Sequence, residues 1–164
     1  MGVTPNSDPP EVRDPFICVV AGGNHVMVMI DQQETGGAFD VVEVLAQHGG
    51  GPPPHCHAFE EWFHVIEGTL TFTGERDGEI VPIAQAGPGE VVVIPPGTWH
   101  GTVNDSGAPV RFSVVGRPGV MSHYFRQAGV QVKSMNDAPD REPPGPAELK
   151  KIADAHDIIF WPGR

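Results

Sequence analysis

The stretch that decides the fold runs GGGPPPHCHAFEEWFHVIEG from Gly49 to Gly68. It places His57 two positions after His55, and Glu61 four positions after His57. Successive side chains of a β-strand point to opposite faces, so residues two or four positions apart share a face. The three side chains can therefore project together from one face. The residues that this parity directs to the other face are Cys56, Glu60 and His64.

A second stretch, GEVVVIPPGTWHGTVN from Gly89 to Asn104, adds a fourth candidate, His100. Proline cannot donate a hydrogen bond to a sheet, so Pro95 to Gly97 predicts a fixed turn that carries the next strand back towards the first stretch. Three imidazole nitrogens and one carboxylate oxygen suit a divalent transition metal. Water or substrate can also bind the metal when its coordination number exceeds four.

Both stretches resemble the two signature motifs of the cupin superfamily, with matching glycine, proline, histidine and glutamate positions in the correct order. The match covers residues 49–104, and the aromatic stretch 121–125 is similar to small single-domain cupins, including quercetin dioxygenase-like ones. The resemblance implies an all-β fold, the double-stranded β-helix or jelly-roll barrel. It also implies that His55, His57, Glu61 and His100 bind the metal.

The rest of the chain agrees with an all-β barrel, because short β-branched and apolar segments alternate with Gly, Pro and Asp. Residues 1–14, rich in proline and acidic side chains, predict an extended arm, and residues 15–133 predict the barrel. Residues 134–164 predict a proline-rich linker and a short C-terminal helix, since Leu149, Ile152, Ala153 and His156 lie at helical spacing. The predicted strands are 16–20, 25–30, 38–46, 61–66, 69–73, 79–84, 90–94, 99–103 and 110–115.

Composition narrows the class of protein. The chain has 164 residues, enough for one domain with its own core, and a formal net charge of −11. That charge argues against a nucleic-acid partner and against an anionic membrane surface. The two cysteines, Cys18 and Cys56, are too few for a disulfide framework, and no signal peptide or membrane-spanning run is evident. A soluble cytoplasmic protein is expected.

Several residues allow two interpretations. The motif can persist as a scaffold without metal, but buried imidazoles and a carboxylate are costly without a cation, which favours a metal site. Cys56 lies between two candidate ligands, and strand parity argues against it as a fifth. Glu60 is an alternative to Glu61 as the carboxylate ligand, and the register favours Glu61. The three prolines before His55 form either a bent, stiff segment that restricts the position of His55 or a simple surface loop.

Four further residues are candidates for a substrate pocket. Phe63 shares parity with Glu61, and His25 lies in an early strand from which it can reach the cavity as a proton carrier. The resemblance places His123 and Tyr124 where related cupins close one mouth of the barrel. Core or surface packing is the alternative for each of them.

The resemblance implies a metal-dependent oxidoreductase of the dioxygenase type, acting on a small phenolic, enol or enolate substrate. In the quercetin dioxygenase-like cupins the metal-bound glutamate is proposed to take the substrate proton, and Glu61 matches that position. One alternative is a metal-dependent isomerase, lyase or decarboxylase, and another is a non-enzymatic small-molecule binding or sensor cupin. The metal is one divalent ion per chain, Fe, Mn, Ni, Zn, Co or Cu. The family resemblance also implies a homodimer.

Overall fold

Short apolar strands form most of the regular structure in residues 9–162, the part of the chain that the computed structural model describes. Two helices accompany them, α1 (Met121–Ala128) and α2 (Pro146–Ala155). The strands are β1 (Phe16–Val19), β2 (His25–Ile30), β3 (Asp40–Ala46), β4 (His55–Cys56), β5 (Glu60–Glu67), β6 (Leu70–Arg76), β7 (Glu79–Ala86), β8 (Val91–Ile94), β9 (His100–Val103), β10 (Val110–Arg117), β11 (Val130–Val132) and β12 (Ile159–Phe160).

The strands pair into two antiparallel sheets. The seven-stranded sheet has the order β11-β1-β2-β3-β10-β5-β8, and the five-stranded sheet has the order β12-β4-β9-β6-β7. Neighbours in space are often distant in sequence, as in β3 and β10, which is the connectivity of a jelly roll. The prediction of an all-β jelly-roll barrel with a short C-terminal helix is confirmed.

Alternating side chains of the two sheets build the core. In β10, Val110, Phe112 and Val114 are buried, whereas the residues between them are exposed or half-buried. The Phe63 ring packs edge-on against Phe72 at 5.2 Å between centroids and lies 5.9 Å from Phe112. These aromatic residues fill one part of the barrel interior, and the remaining part is a cavity.

The structure contains elements that the sequence pattern did not predict. Strands β4, β11 and β12 are only two or three residues long, too short to show alternation. Residues 121–128, noted in the sequence only for their aromatic side chains, form α1. The predicted C-terminal helix appears as α2, with Pro146 in its first turn.

The terminal segments contact the barrel at specific points. Residues 1–8 of the predicted arm lie outside the described residues, while Arg13 pairs with Glu34 and donates to the Met29 carbonyl at 2.8 Å. At the other end, β12 pairs with β4 of the five-stranded sheet. The division into arm, barrel and C-terminal segment stays a prediction. No helix within residues 9–162 is long and apolar enough to cross a membrane.

Asp40 provides a test of the packing around α1. Its side chain is fully buried; one oxygen accepts a hydrogen bond from the Ser122 amide at 2.7 Å, and the other has no partner within residues 9–162. Burial raises the pKa of this carboxyl to about 6, against the hydrogen bonds from Ser122. Between about pH 4, its ordinary pKa, and pH 6 the native state therefore binds more protons than the unfolded state.

We expect the free energy of unfolding to fall by roughly 3 kcal/mol through Asp40 alone as the pH rises across that interval, at about 1.4 kcal/mol per unit of pKa shift. Asp40→Asn removes this contribution, because the amide does not titrate. Urea unfolding of both proteins from pH 4 to 7 measures the difference. Parallel pH profiles for the two proteins would contradict a raised pKa at Asp40.

Candidate metal centre

The four candidate ligands come from both sheets. His55 lies in β4 and is the register partner of His100 in β9, both in the five-stranded sheet. The chain leaves β4 after Cys56 and begins β5 at Glu60 in the seven-stranded sheet, so Glu61 approaches from the opposite side. The side chains that strand parity predicted to share a face therefore do converge, although they do not lie on one continuous strand.

Close backbone contacts hold the approach to His55 in place. The Gly49 amide donates to the Asn104 carbonyl at 2.7 Å, and the Asn104 amide donates to the Gly50 carbonyl at 3.0 Å. At Gly51, with φ of 154°, a Cβ atom would lie 1.8 Å from the carbonyl oxygen of Thr102. Only glycine permits this approach, which fixes the segment closely against β9. A role of the prolines in guiding His55 stays a prediction.

The ligand atoms converge on one point. One nitrogen from each histidine and one oxygen from Glu61 all lie within 4.8 Å of one another. Glu61 Oε2 is 2.9 Å from His100 Nε2 and 3.2 Å from His57 Nε2. The three residues of this contact are at most 5% exposed, whereas His55 is half-buried. Among the described residues the cluster contains neither Cys56 nor Glu60, whose carboxylate instead pairs with Arg117 at 3.1 Å.

Backbone carbonyl groups orient all three imidazole rings. A carbonyl oxygen can only accept, so a ring nitrogen that contacts one carries the proton. In each of the three histidines this nitrogen is Nδ1, which leaves the lone pair of Nε2 directed at the cluster, as in protein metal sites. The Nδ1 contacts are His55 to Pro53 O at 2.9 Å, His57 to Phe59 O at 2.8 Å and His100 to Thr98 O at 2.8 Å.

The electrostatics of the cluster fit a cation. Burial alone would raise the pKa of Glu61, but the contacts of its carboxylate with the imidazole rings of His100 and His57 outweigh burial and lower the pKa to about 2. Burial, together with the charge of His100, lowers the pKa of His55 to about 4. At neutral pH these two groups are therefore in the forms that bind metals, carboxylate and neutral imidazole. Lone pairs of Nε2 atoms and a carboxylate that face each other repel unless a proton or a metal cation lies between them, and the donor set suits a divalent transition metal.

A cavity of about 410 Å³ adjoins the cluster. Its wall includes the four ligand residues, and most of the remainder is aliphatic or aromatic. Glu61 is its one carboxylate, and neither Lys nor Arg is present among the described residues that line it. Polar groups in the wall besides the ligands come from Asn24, Thr102 and Tyr124. The arrangement can therefore bind an apolar molecule with one polar atom at the cluster.

Comparison with known proteins agrees with this architecture. The cupin domain model matches residues 41–116, the region that contains all four candidate ligands. Among solved structures, the polyketide cyclase RemF from Streptomyces resistomycificus is 30% identical, with 65% of this chain and 70% of that chain covered and a TM-score of 0.51. This chain belongs to the cupin superfamily. The resemblance seen in the two sequence motifs is confirmed.

Two further solved structures also resemble this cupin. An RmlC-like cupin from Shewanella frigidimarina is 19% identical, with 62% of this chain and 82% of that chain covered and a TM-score of 0.50, which shows the fold alone. A cupin-superfamily sugar phosphate isomerase from Silicibacter pomeroyi is 28% identical, with 58% and 59% covered and a TM-score of 0.47. No curated protein matches the cupin at a significant level.

The four predicted pocket residues of this cupin fall into two groups. Phe63 and Tyr124 line the cavity. His25 does not, because its neighbour Val26 faces inward, and His25 Nε2 instead contacts the Asp137 carbonyl at 2.8 Å. His123 is exposed on α1. The pocket roles stay predictions, and the cavity geometry favours Phe63 and Tyr124.

Sequence reasoning missed two sets of residues at the cupin's site. Phe59 stacks on the ligand His57, with ring centroids 3.5 Å apart and planes 3° from parallel. The C-terminal segment also contributes to the cavity wall, through Leu149, Ile158 and Phe160. The available signal was the apolar run IIFW at residues 158–161 in an otherwise polar tail, which is typical of a short buried strand.

Proposed function

We propose that this cupin is a metal-dependent enzyme that acts on a small, apolar molecule with a phenolic, enol or enolate oxygen. The observation that carries the proposal is the convergence of three imidazoles and one carboxylate within 4.8 Å at the wall of an apolar cavity. His55, His57, Glu61 and His100 hold the metal, which when bound polarises a substrate oxygen and lowers its pKa.

Charge balance supports this substrate class. Three neutral imidazoles and the Glu61 carboxylate leave a divalent site with one net positive charge, which a single enolate or phenolate neutralises. Within residues 9–162, the cavity wall offers neither Lys nor Arg to a second anionic group. Burying an uncompensated phosphate or carboxylate among apolar side chains is costly, so the substrate carries one ionisable oxygen and no phosphate.

The protein's own residues then orient the substrate and receive its proton. The apolar wall, including Phe63 and Phe112, excludes water and holds an aromatic or aliphatic body against the cluster. Glu61 is the base in this proposal, since it is the one carboxylate that the described residues place in the wall and it remains ionised above about pH 2. Its base role rests on the resemblance to quercetin dioxygenase-like cupins.

Two reaction types are compatible with this site. The 30% identity to a polyketide cyclase supports a redox-neutral reaction of an enolisable substrate, in which bonds rearrange without oxygen. An oxygen-dependent reaction of the dioxygenase type is the second candidate, and the water-excluding wall supports it because a dry site limits side reactions. Both types use the same four ligands and the same base.

A substrate panel tests the proposal. Protein loaded separately with Fe, Mn, Ni, Co, Cu and Zn is incubated with 1-naphthol, aryl 1,3-diketones and aromatic poly-β-ketones, in air and without oxygen. We expect turnover of at least one compound and binding of 1-naphthol but not of 1-naphthyl phosphate. Turnover without oxygen supports the redox-neutral reaction, and stoichiometric oxygen uptake supports the dioxygenase type. Binding without any turnover would contradict an enzymatic role.

A further inference from the structure

The C-terminal segment covers the strand that carries His55. Strand β4 is two residues long and has a single register pair with β9, between His55 and His100. Its other edge is paired with β12, where Ile159 opposes Cys56 and Phe160 opposes His55. The Trp161 amide also donates to the Pro54 carbonyl at 2.7 Å. Most backbone pairing of the ligand strand therefore comes from residues 159–161.

The two side chains of β12 have opposite environments. Phe160 lines the cavity, and its ring meets the His55 ring edge-on, with centroids 6.4 Å apart and an interplanar angle of 81°. This distance and angle are typical of a favourable aromatic pair. Ile159 faces outward and is 57% exposed. Phe160 therefore restricts the ring of a candidate ligand, whereas Ile159 contacts neither that ring nor the cavity.

The segment is anchored on both sides of this contact. Ile158 is 6% exposed, belongs to the core, and its amide donates to the Ala153 carbonyl at 2.9 Å at the end of α2. On the other side, the Trp161 ring packs edge-on against Trp99, with centroids 4.8 Å apart. Because Trp99 directly precedes His100, the segment contacts β4 and also the residue that leads into β9, the second strand of this sheet that carries a ligand.

This segment lies outside the region that the cupin domain model matches, which ends at residue 116. It nevertheless contributes to the cavity wall through Ile158 and Phe160, while Pro144, Pro146 and Leu149 line the cavity from the preceding residues. A part of the cavity that limits substrate size therefore comes from sequence beyond the matched domain.

We propose that residues 158–161 form a strap that positions the metal ligand His55 and closes the substrate cavity, with Phe160 as the positioning residue. The inference rests on the proposed metal site. Without the Phe160 ring, His55 gains rotational freedom and the cavity opens beside the ligand cluster. Metal is then released faster and the coordination sphere becomes less uniform, while the other three ligands keep the site able to bind.

Cobalt(II) is the probe for this proposal, because its visible absorption reports coordination directly. Wild type, Phe160→Ala and Ile159→Ala are loaded with Co²⁺, and release to excess EDTA is followed by absorbance. Residues that orient ligands typically contribute 10- to 100-fold to metal affinity, so we expect roughly 10- to 100-fold faster release from Phe160→Ala, with an altered spectrum. Ile159→Ala, on the same strand and facing solvent, should stay within about twofold of wild type.

Phe160→Tyr keeps the aromatic edge and should restore the wild-type spectrum and release rate. If Phe160→Ala does not fold, as judged by circular dichroism, Phe160→Leu replaces it with the same expectation of faster release. Wild-type binding with unchanged release and spectrum in the Phe160 variant would overturn the strap and leave the proposed function intact. Failure of the wild-type protein to bind Co²⁺ or any other transition metal would instead remove the proposed function on which the strap depends.

Discussion

Saturating zinc or cobalt is expected to raise the midpoint of thermal unfolding of the wild-type protein and to leave that of a His57→Ala, His100→Ala double variant unchanged. The ion binds the folded state, in which both imidazoles contact Glu61 within 3.2 Å, and the unfolded chain has no assembled site. A ligand at a thousand times its Kd stabilises by about 4 kcal/mol, which corresponds to roughly 10 °C for a domain of this size. Differential scanning fluorimetry with and without metal measures this shift.

His64→Ala is the matched control for this prediction. His64 lies in β5, three positions after Glu61, and its side chain is exposed on the outer face of the sheet. This variant should show the same metal-induced shift as the wild-type protein. An equal shift in the double variant would place the stabilising ion elsewhere on a chain with a net charge of −11, and would contradict the four-ligand cluster as the binding site.

Replacing Glu61 by glutamine is expected to lower kcat by roughly 10²- to 10⁴-fold on whichever panel compound the wild-type protein converts, the usual contribution of a positioned base. Glutamine keeps the size of the side chain and one carbonyl oxygen but cannot accept the substrate proton. The measurement is steady-state kinetics at saturating metal, with the metal content of each preparation determined alongside. The metal content of the variant shows whether a lower kcat comes from loss of the base or from loss of the metal ion.

Glu60→Gln is the neighbouring control. In the wild-type protein the Glu60 carboxylate pairs with Arg117 on the other face of β5, and this partly exposed ion pair contributes little to stability. The Glu60 variant should therefore retain wild-type turnover. If metal-loaded Glu61→Gln also turns over at the wild-type rate, Glu61 is not the base, and the proton must go to another group or to water.

The ligand cluster could be predicted from the sequence because it depends on local rules. Alternation along extended backbone placed His55, His57 and Glu61 on the same side, and the Pro95 to Gly97 turn brought His100 back to them. That turn is held by a hydrogen bond from the Gly97 amide to the His57 carbonyl at 2.7 Å. The sequence could not show that the chain changes sheets between His57 and Glu61, because that change depends on long-range pairing.

The cavity was less predictable for the same physical reason. Val26 and Val28 are each 1% exposed and face inward, so alternation in β2 turns His25 away from the cavity. The sequence pattern alone did not decide which face of β2 is internal. Phe160 was missed because β12 is two residues long and its partner lies about a hundred residues earlier in the chain, where no local pattern points to it.

The most direct test of the metal centre is the metal content of tag-free protein, measured by inductively coupled plasma mass spectrometry after exposure to iron, manganese, cobalt, nickel, copper and zinc in turn. The arrangement of His55, His57, Glu61 and His100 predicts close to one ion per chain in the wild-type protein and a near-complete loss of that ion in the His57→Ala, His100→Ala variant. Wild-type protein that stays empty with every metal would contradict the proposed metal-dependent function and leave a metal-free binding barrel.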